Sequence, residues 1–84
     1  MDLQDTSFAV AAQLLPLDQY RAQRETIFPS LGSFQWWMRS NRGRAIQAGA
    51  LLMVRGRWHV VPAKMDACIE QVGTEAARRQ LVPA

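Results

Sequence analysis

The sequence predicts a mainly α-helical domain that carries one small β-hairpin. Three observations predict it. Apolar residues recur at helical spacing around residues 16–25, 31–40 and 62–73. Two short apolar runs, Leu51 to Val54 and Trp58 to Val61, flank a turn that contains Gly56. Between Glu25 and Asp66 there is no acidic residue, and that stretch holds Arg39, Arg42, Arg44, Arg55, Arg57 and Lys64.

At 84 residues the chain amounts to one small domain. A chain of this size buries only about 60% of its unfolded surface, so self-association or a ligand would add to its stability. A hydrophobic fraction of 49% argues against wholesale disorder. The net charge is +3, and its distribution is more informative than its total. Residues 1–29 sum to −2, residues 30–64 to +6 and residues 65–84 to −1. A basic centre between weakly acidic flanks is the footprint of a polyanionic partner; a solvated charged face would mix both signs.

Several classes are argued against. Cys68 is the one cysteine and His59 the one histidine, which leaves no disulfide within the chain and no zinc ligand set. No cofactor is expected. The opening residues lack the basic and apolar regions of a secretory signal, and no apolar stretch approaches the ~18–20 residues of a membrane span. A cytoplasmic, nucleoid-associated location is therefore expected, with no membrane partner. Catalysis needs a nucleophile beside a base, paired carboxylates or a metal. His59 has no acidic residue within six positions, and the glycines are too scattered for a phosphate loop. The chain reads as a non-enzyme.

Taken in order, residues 1–15 read as an N-terminal arm or short helix. Thr6 or Ser7 would cap a helix through the apolar run from Phe8 to Leu15, and a strand fits the same run. A helix is predicted over 16–25, opened by Pro16, with Leu17 and Tyr20 on one face. Asp18 in its first turn and Arg24 in its last complement the helix dipole. Pro29 ends it by forcing Phe28 out of the α region, and Ile27 and Phe28 are expected in the core.

Ser30 suits the N-cap of a second helix over about 31–40. Leu31, Phe34 and Met38 form its buried stripe with Trp37 on the flank. Gly32, Ser33, Trp36, Arg39 and Ser40 lie on the outer half, with Gln35 at the border. Asn41, Arg42 and Gly43 are expected to end this helix, and 44–50 to form a linker or turn. A helix, a four-to-five-residue turn and a second helix have helix-turn-helix spacing, so the second would be the recognition helix. The hairpin around Arg55-Gly56 is then a wing. Pro62 opens a last helix with Met65, Cys68, Ile69 and Val72 as an amphipathic stripe. Cys68 is read as a small buried hydrophobe. Gly73 would end this helix or be passed by it. The winged helix-turn-helix domain thus spans 16–73, and 74–84 form a helical tail.

These elements place suitable chemistry on one surface. A helix fits the major groove, where base edges carry a donor and acceptor code. Ser30 and Ser33 sit near the helix N-terminus, where phosphate is attracted. Gln35 suits an adenine edge, and Arg39 a guanine or a phosphate. Arg42 and Arg44 are expected as phosphate clamps just past the helix. Arg55, Gly56 and Arg57 form a wing tip for the adjacent minor groove. Lys64 is a lesser phosphate candidate. Trp36 is expected to pack under the wing, with an exposed interface position as the alternative.

The order of Leu17 and Tyr20, Ile27-Phe28-Pro29-Ser30, Ser33-Phe34-Gln35-Trp36, Arg55-Gly56-Arg57 and the run from Val60 to Ile69 is familiar. Over about residues 16–72 it resembles small bacterial proteins with an excisionase-like, MerR-like winged helix-turn-helix. The chain departs from their pattern in three places. Gln35 stands where they carry Arg, Val61 where they carry a capping Asp, and Met65 where they carry Phe. The resemblance implies a DNA-binding accessory protein of a bacterial, phage or plasmid mobile element. It would act as an excisionase in DNA recombination or as a transcription regulator. It also implies binding in dimers or tandem copies on double-stranded DNA, and contact with an integrase or RNA polymerase. The competing class is a protein-interaction module, an inhibitor or antitoxin-like adaptor that grips its partner with the Trp- and Arg-rich helix.

Overall fold

The computed structural model describes residues 13–81. Among them the chain forms β1 (Leu15–Pro16), α1 (Leu17–Gln23), α2 (Leu31–Gln47), β2 (Leu51–Val54), β3 (Arg57–Val60) and α3 (Pro62–Arg79). The three strands make one antiparallel sheet in the order β1-β3-β2. The domain is therefore mainly helical, with a small sheet built around a hairpin. Most of the predicted N-terminal arm or helix lies outside the described residues.

Two side chains shared between elements organise the core. Phe34 of α2 is fully buried, with Phe28 at 4.7 Å and Tyr20 at 5.9 Å between ring centroids. Met65 of α3 is fully buried in the same cluster, together with Met38, Leu51, Val60 and Cys68. Cys68 is buried as a hydrophobe, as its spacing predicted. Trp37 joins from the side, its ring 5.9 Å from that of Phe28.

α1 begins after Pro16, which occupies both the edge strand and the N-cap. A proline is tolerated there because an edge strand does not require its missing N–H. The helix stops at Gln23, two residues earlier than its periodicity suggested, because Ile27 and Phe28 both fold back to the Arg24 carbonyl. The connection to α2 therefore runs over residues 24–30 and is longer than the predicted turn. Phe28 takes the core position and Ile27, its neighbour in the turn, is half exposed. The expectation that both would be buried is corrected on that ground. Leu31 is also exposed, because it occupies the first position of α2, one turn before the core begins at Phe34.

The largest correction concerns the end of α2. The helix does not stop at Asn41-Arg42-Gly43 but runs on to Gln47. Asn41 donates its side-chain N–H to the Trp37 carbonyl one turn back, and so stays within the helix. Ala45, predicted to lie in a linker, is fully buried and draws the last turn onto the core. The terminator is Gly49, with φ +74°. Gly49 N–H donates to the Ile46 carbonyl at 3.0 Å and Ala50 N–H to the Ala45 carbonyl at 2.9 Å. This is the paired bonding of a Schellman motif, which needs a left-handed residue at the position of Gly49.

The hairpin matches its sequence signal. Leu52 pairs with His59, Met53 with Trp58 and Val54 with Arg57, and Arg55 and Gly56 make the turn. Both turn residues have positive φ, 52° and 78°, as a two-residue turn with the twist of its strands requires. The strand alternative for the run ending at Leu15 is realised at its last residue, and Pro16, expected to open the helix, joins it: Leu15 pairs with Val60 and Pro16 with His59. α3 starts at Pro62 with Val61 as an N-cap that makes no side-chain bond, as the missing capping Asp implied. It continues through Gly73 to Arg79, absorbing most of the predicted tail.

Candidate nucleic-acid interface

Two acids of α3 take two of the arginines into the frame. Asp66 receives both Arg24 Nε and Arg24 Nη2, at 2.8 and 2.7 Å, and also accepts from the Tyr20 hydroxyl at 2.6 Å. The Arg24 guanidinium and the Tyr20 hydroxyl hold the Asp66 carboxyl below the usual range. Burial, then donation to Asp66, pushes the Tyr20 phenol upward. Glu75 takes Arg44 in a fork, with bonds of 2.7 and 2.8 Å. The first pair ties α3 to the C-cap of α1 and the second ties it to α2, so these charges belong to the frame.

Arg39, Arg42, Arg55 and Arg57 make no ion pair among the described residues. All four are exposed. Two are held by aromatic faces. Arg39 Cζ lies 5.8 Å from the Trp36 ring centroid, and Arg42 Cζ lies 5.9 Å from that of Trp58. Such contacts contribute about 0.5–1 kcal/mol at exposed sites and limit where the guanidinium points.

Alternation along the strands places the hairpin residues. Met53 and Trp58 share the face toward α2, where Trp58 meets Arg42 across a groove of about 170 Å³. Leu17, Phe34, Met38 and Leu51 form its apolar lining, and Gln35 also borders it. Val54, Arg57 and His59 lie on the opposite face, around a second, open depression. Arg55 is at the tip between them. The hairpin thus presents Arg55 at its end and Arg57 on the side away from Arg42.

Several expectations change here. Arg42 and Arg44 are inside α2, because the helix is longer than predicted, and Arg44 is committed to Glu75 rather than free to clamp phosphate. Ser30 and Ser33 form a capping box. Ser30 Oγ accepts from Ser33 N–H at 3.1 Å, Ser30 N–H donates to Ser33 Oγ at 3.3 Å, and Ser33 Oγ–H donates to the Ser30 carbonyl at 2.7 Å. Ser33 therefore has no hydroxyl proton left for a phosphate. Trp36 is not packed under the hairpin; it is 69% exposed on the outer face of α2. Trp58 fills that place, since the register turns it inward. Gly56 serves the turn. Lys64 lies over Gly49, with Nζ 3.3 Å from where a Cβ would stand, so its charge sits at the C-terminal end of α2. His59 is a strand residue whose Nδ1 lies 3.1 Å from the Arg57 carbonyl.

The residues that sequence reasoning missed are Tyr20, Asp66 and Glu75. Local spacing puts Tyr20 on the inner face beside Leu17 but marks none of their bonds, since the partners are 31 to 46 positions away. Among the described residues no group of His, Cys, Asp and Glu is placed to hold a metal ion, and no helix is long and apolar enough to cross a membrane. Comparison with protein-family models, curated proteins and solved structures finds no match for this chain.

Proposed function

We propose that this protein is a small winged helix-turn-helix that binds double-stranded DNA without catalysis. α1 and α2 would be the helix-turn-helix pair, α2 the recognition helix and the β2–β3 hairpin the wing. The observation that carries the reading is the sorting of charge. Asp66 and Glu75 of α3 take Arg24 and Arg44, while Arg39, Arg42, Arg55 and Arg57, on one helix and the adjoining hairpin, make no ion pair among the described residues; Arg78 and Arg79, exposed and likewise without an ion pair there, lie in the last turn of α3. α2 itself contains no acidic residue. A helix enters the major groove, and guanidinium groups there meet phosphates or guanine edges. Within this class the resemblance favours an excisionase or transcription regulator of a mobile element, acting as a dimer or in tandem copies and contacting an integrase or RNA polymerase.

The test is a titration against random-sequence duplex across a salt series. Neutralising three to four phosphates gives a slope of log K on log salt of roughly −3 to −4. The double variant Arg39→Ala, Arg55→Ala should lose about half of that slope while its circular dichroism is unchanged. Absence of duplex binding by the unaltered protein at low salt would end this reading. A protein-interaction module is the second reading, favoured by the exposed Trp36. It predicts capture of a partner protein and no affinity for duplex.

A further inference from the structure

We propose that Trp36 reads thymine, its indole resting against the 5-methyl groups in the major groove while Arg39 anchors it to the sugar–phosphate backbone; the assignment rests on the double-stranded DNA reading above. Trp37 and Trp58 pack against the core, but Trp36 is 69% exposed. At 100° per residue it points away from Phe34, Met38 and Ala45, the buried line of α2. An indole so exposed does little for the fold and is unfavourable in water.

The surroundings of the ring identify its partner. Gly32, Ser40 and Gly43 are its neighbours on the same face. A Cβ on Gly43 would meet nothing within 4 Å, and one on Gly32 only the Ser30 Oγ at 3.8 Å. Glycine inside a helix costs about 1 kcal/mol relative to alanine, and the packing of the described residues does not require one at Gly43. The effect is a flat helical face from which one aromatic ring protrudes, with room for another surface to come close. Arg39 lies against the ring and Arg42 is one turn further along, with no acid on the helix. The partner is therefore anionic overall and yet offers an apolar spot at the depth of the ring. The major groove of DNA has that combination, because thymine carries its methyl group there between acceptor edges. The minor groove, roughly 6 Å wide, does not admit a helix.

The experiment compares a thymine-rich duplex with the same sequence synthesised with deoxyuridine in place of thymidine. This removes the methyl and leaves the hydrogen-bonding edges unchanged. The full chain should bind the deoxyuridine duplex about fourfold more weakly for each methyl contacted. Trp36→Ala should bind both duplexes equally and keep the salt slope and circular dichroism of the unaltered protein. Equal affinity of the unaltered protein for the two duplexes overturns the assignment to Trp36 and leaves the DNA reading standing. So does a Trp36→Ala variant that retains the thymine preference; a lower sedimentation mass in that variant would assign the ring to self-association. Failure to bind either duplex overturns both.

Discussion

The Arg44 guanidinium is bonded to both carboxylate oxygens of Glu75, at 2.7 and 2.8 Å, joining the second half of α2 to α3. The pair removes from the basic surface one of the arginines that the sequence places in the acid-free block. Arg44→Gln should therefore leave the salt slope of duplex binding unchanged, whereas Arg42→Gln should reduce its magnitude by about 0.9. An equal reduction in both variants would mean that Arg44 leaves Glu75 for the DNA.

The same geometry sets the response to acid. Hydrogen bonds from Arg24 and Arg44 hold Asp66 and Glu75, respectively, below the usual carboxylate values. A carboxylate whose value is lowered on folding stabilises the protein above its unfolded pKa, and that contribution is lost as pH falls through the folded one. Stability should be level near neutrality on this account and decline below about pH 4. Thermal melts of Glu75→Gln and Asp66→Asn across pH 2–7 should show a shallower acid limb in each. Limbs as steep as that of the unaltered protein would show that other groups control acid unfolding.

Tyr20 is the buried half of a second link. Its hydroxyl donates to Asp66 at 2.6 Å, and the same carboxylate receives Arg24. Asp66→Ala leaves a part-buried hydroxyl without that acceptor and should lower stability by about 1–2 kcal/mol in urea unfolding. Tyr20→Phe removes donor and hydroxyl together and should cost less. The reverse order would show that the hydroxyl finds another partner once Asp66 is gone.

Arg55 has φ 52°, a region that non-glycine residues adopt at a cost of about 1 kcal/mol and that asparagine tolerates better. Two-residue hairpin turns favour Asn-Gly at these positions. Arg55→Asn should therefore raise stability by about 0.5–1 kcal/mol and weaken duplex binding at the same time. Opposite signs from one substitution would identify strain retained at a contact site. A variant that is stabilised and binds DNA as tightly as before would show that the tip makes no contact.

Phe34 tests the core on which the helices converge. It is fully buried against Phe28 and Tyr20, so Phe34→Ala should cost about 3–5 kcal/mol, enough to unfold a domain this small. Leu31→Ala, on the exposed first turn of the same helix, should change stability by less than about 1 kcal/mol. Similar losses from the two would contradict the observed burial.

The local features were legible because their causes are local. Ser30 caps α2 through its own turn, Arg55-Gly56 closes a hairpin because Gly56 accepts a positive φ, and Met65 and Cys68 face inward because they lie three positions apart on one helix. By itself the sequence determined a helix-rich domain, a hairpin with a basic tip, and an acid-free stretch with six cations that runs through helix and hairpin. Only the tertiary structure decided where α2 ends, since Gly43 and Gly49 are both adequate stops and the burial of Ala45 selects the second. It also decided which side chains are free to contact a partner. Periodicity gives a residue its face but not its distant neighbour. Asp66 and Glu75 therefore had to be brought across from α3 before Arg24 and Arg44 became parts of the frame. Trp58 likewise had to be turned under the hairpin by its strand register, leaving Trp36 exposed on the helix. A charge or a ring acquires its role when long-range packing either supplies a partner within about 3–6 Å or leaves it exposed to solvent.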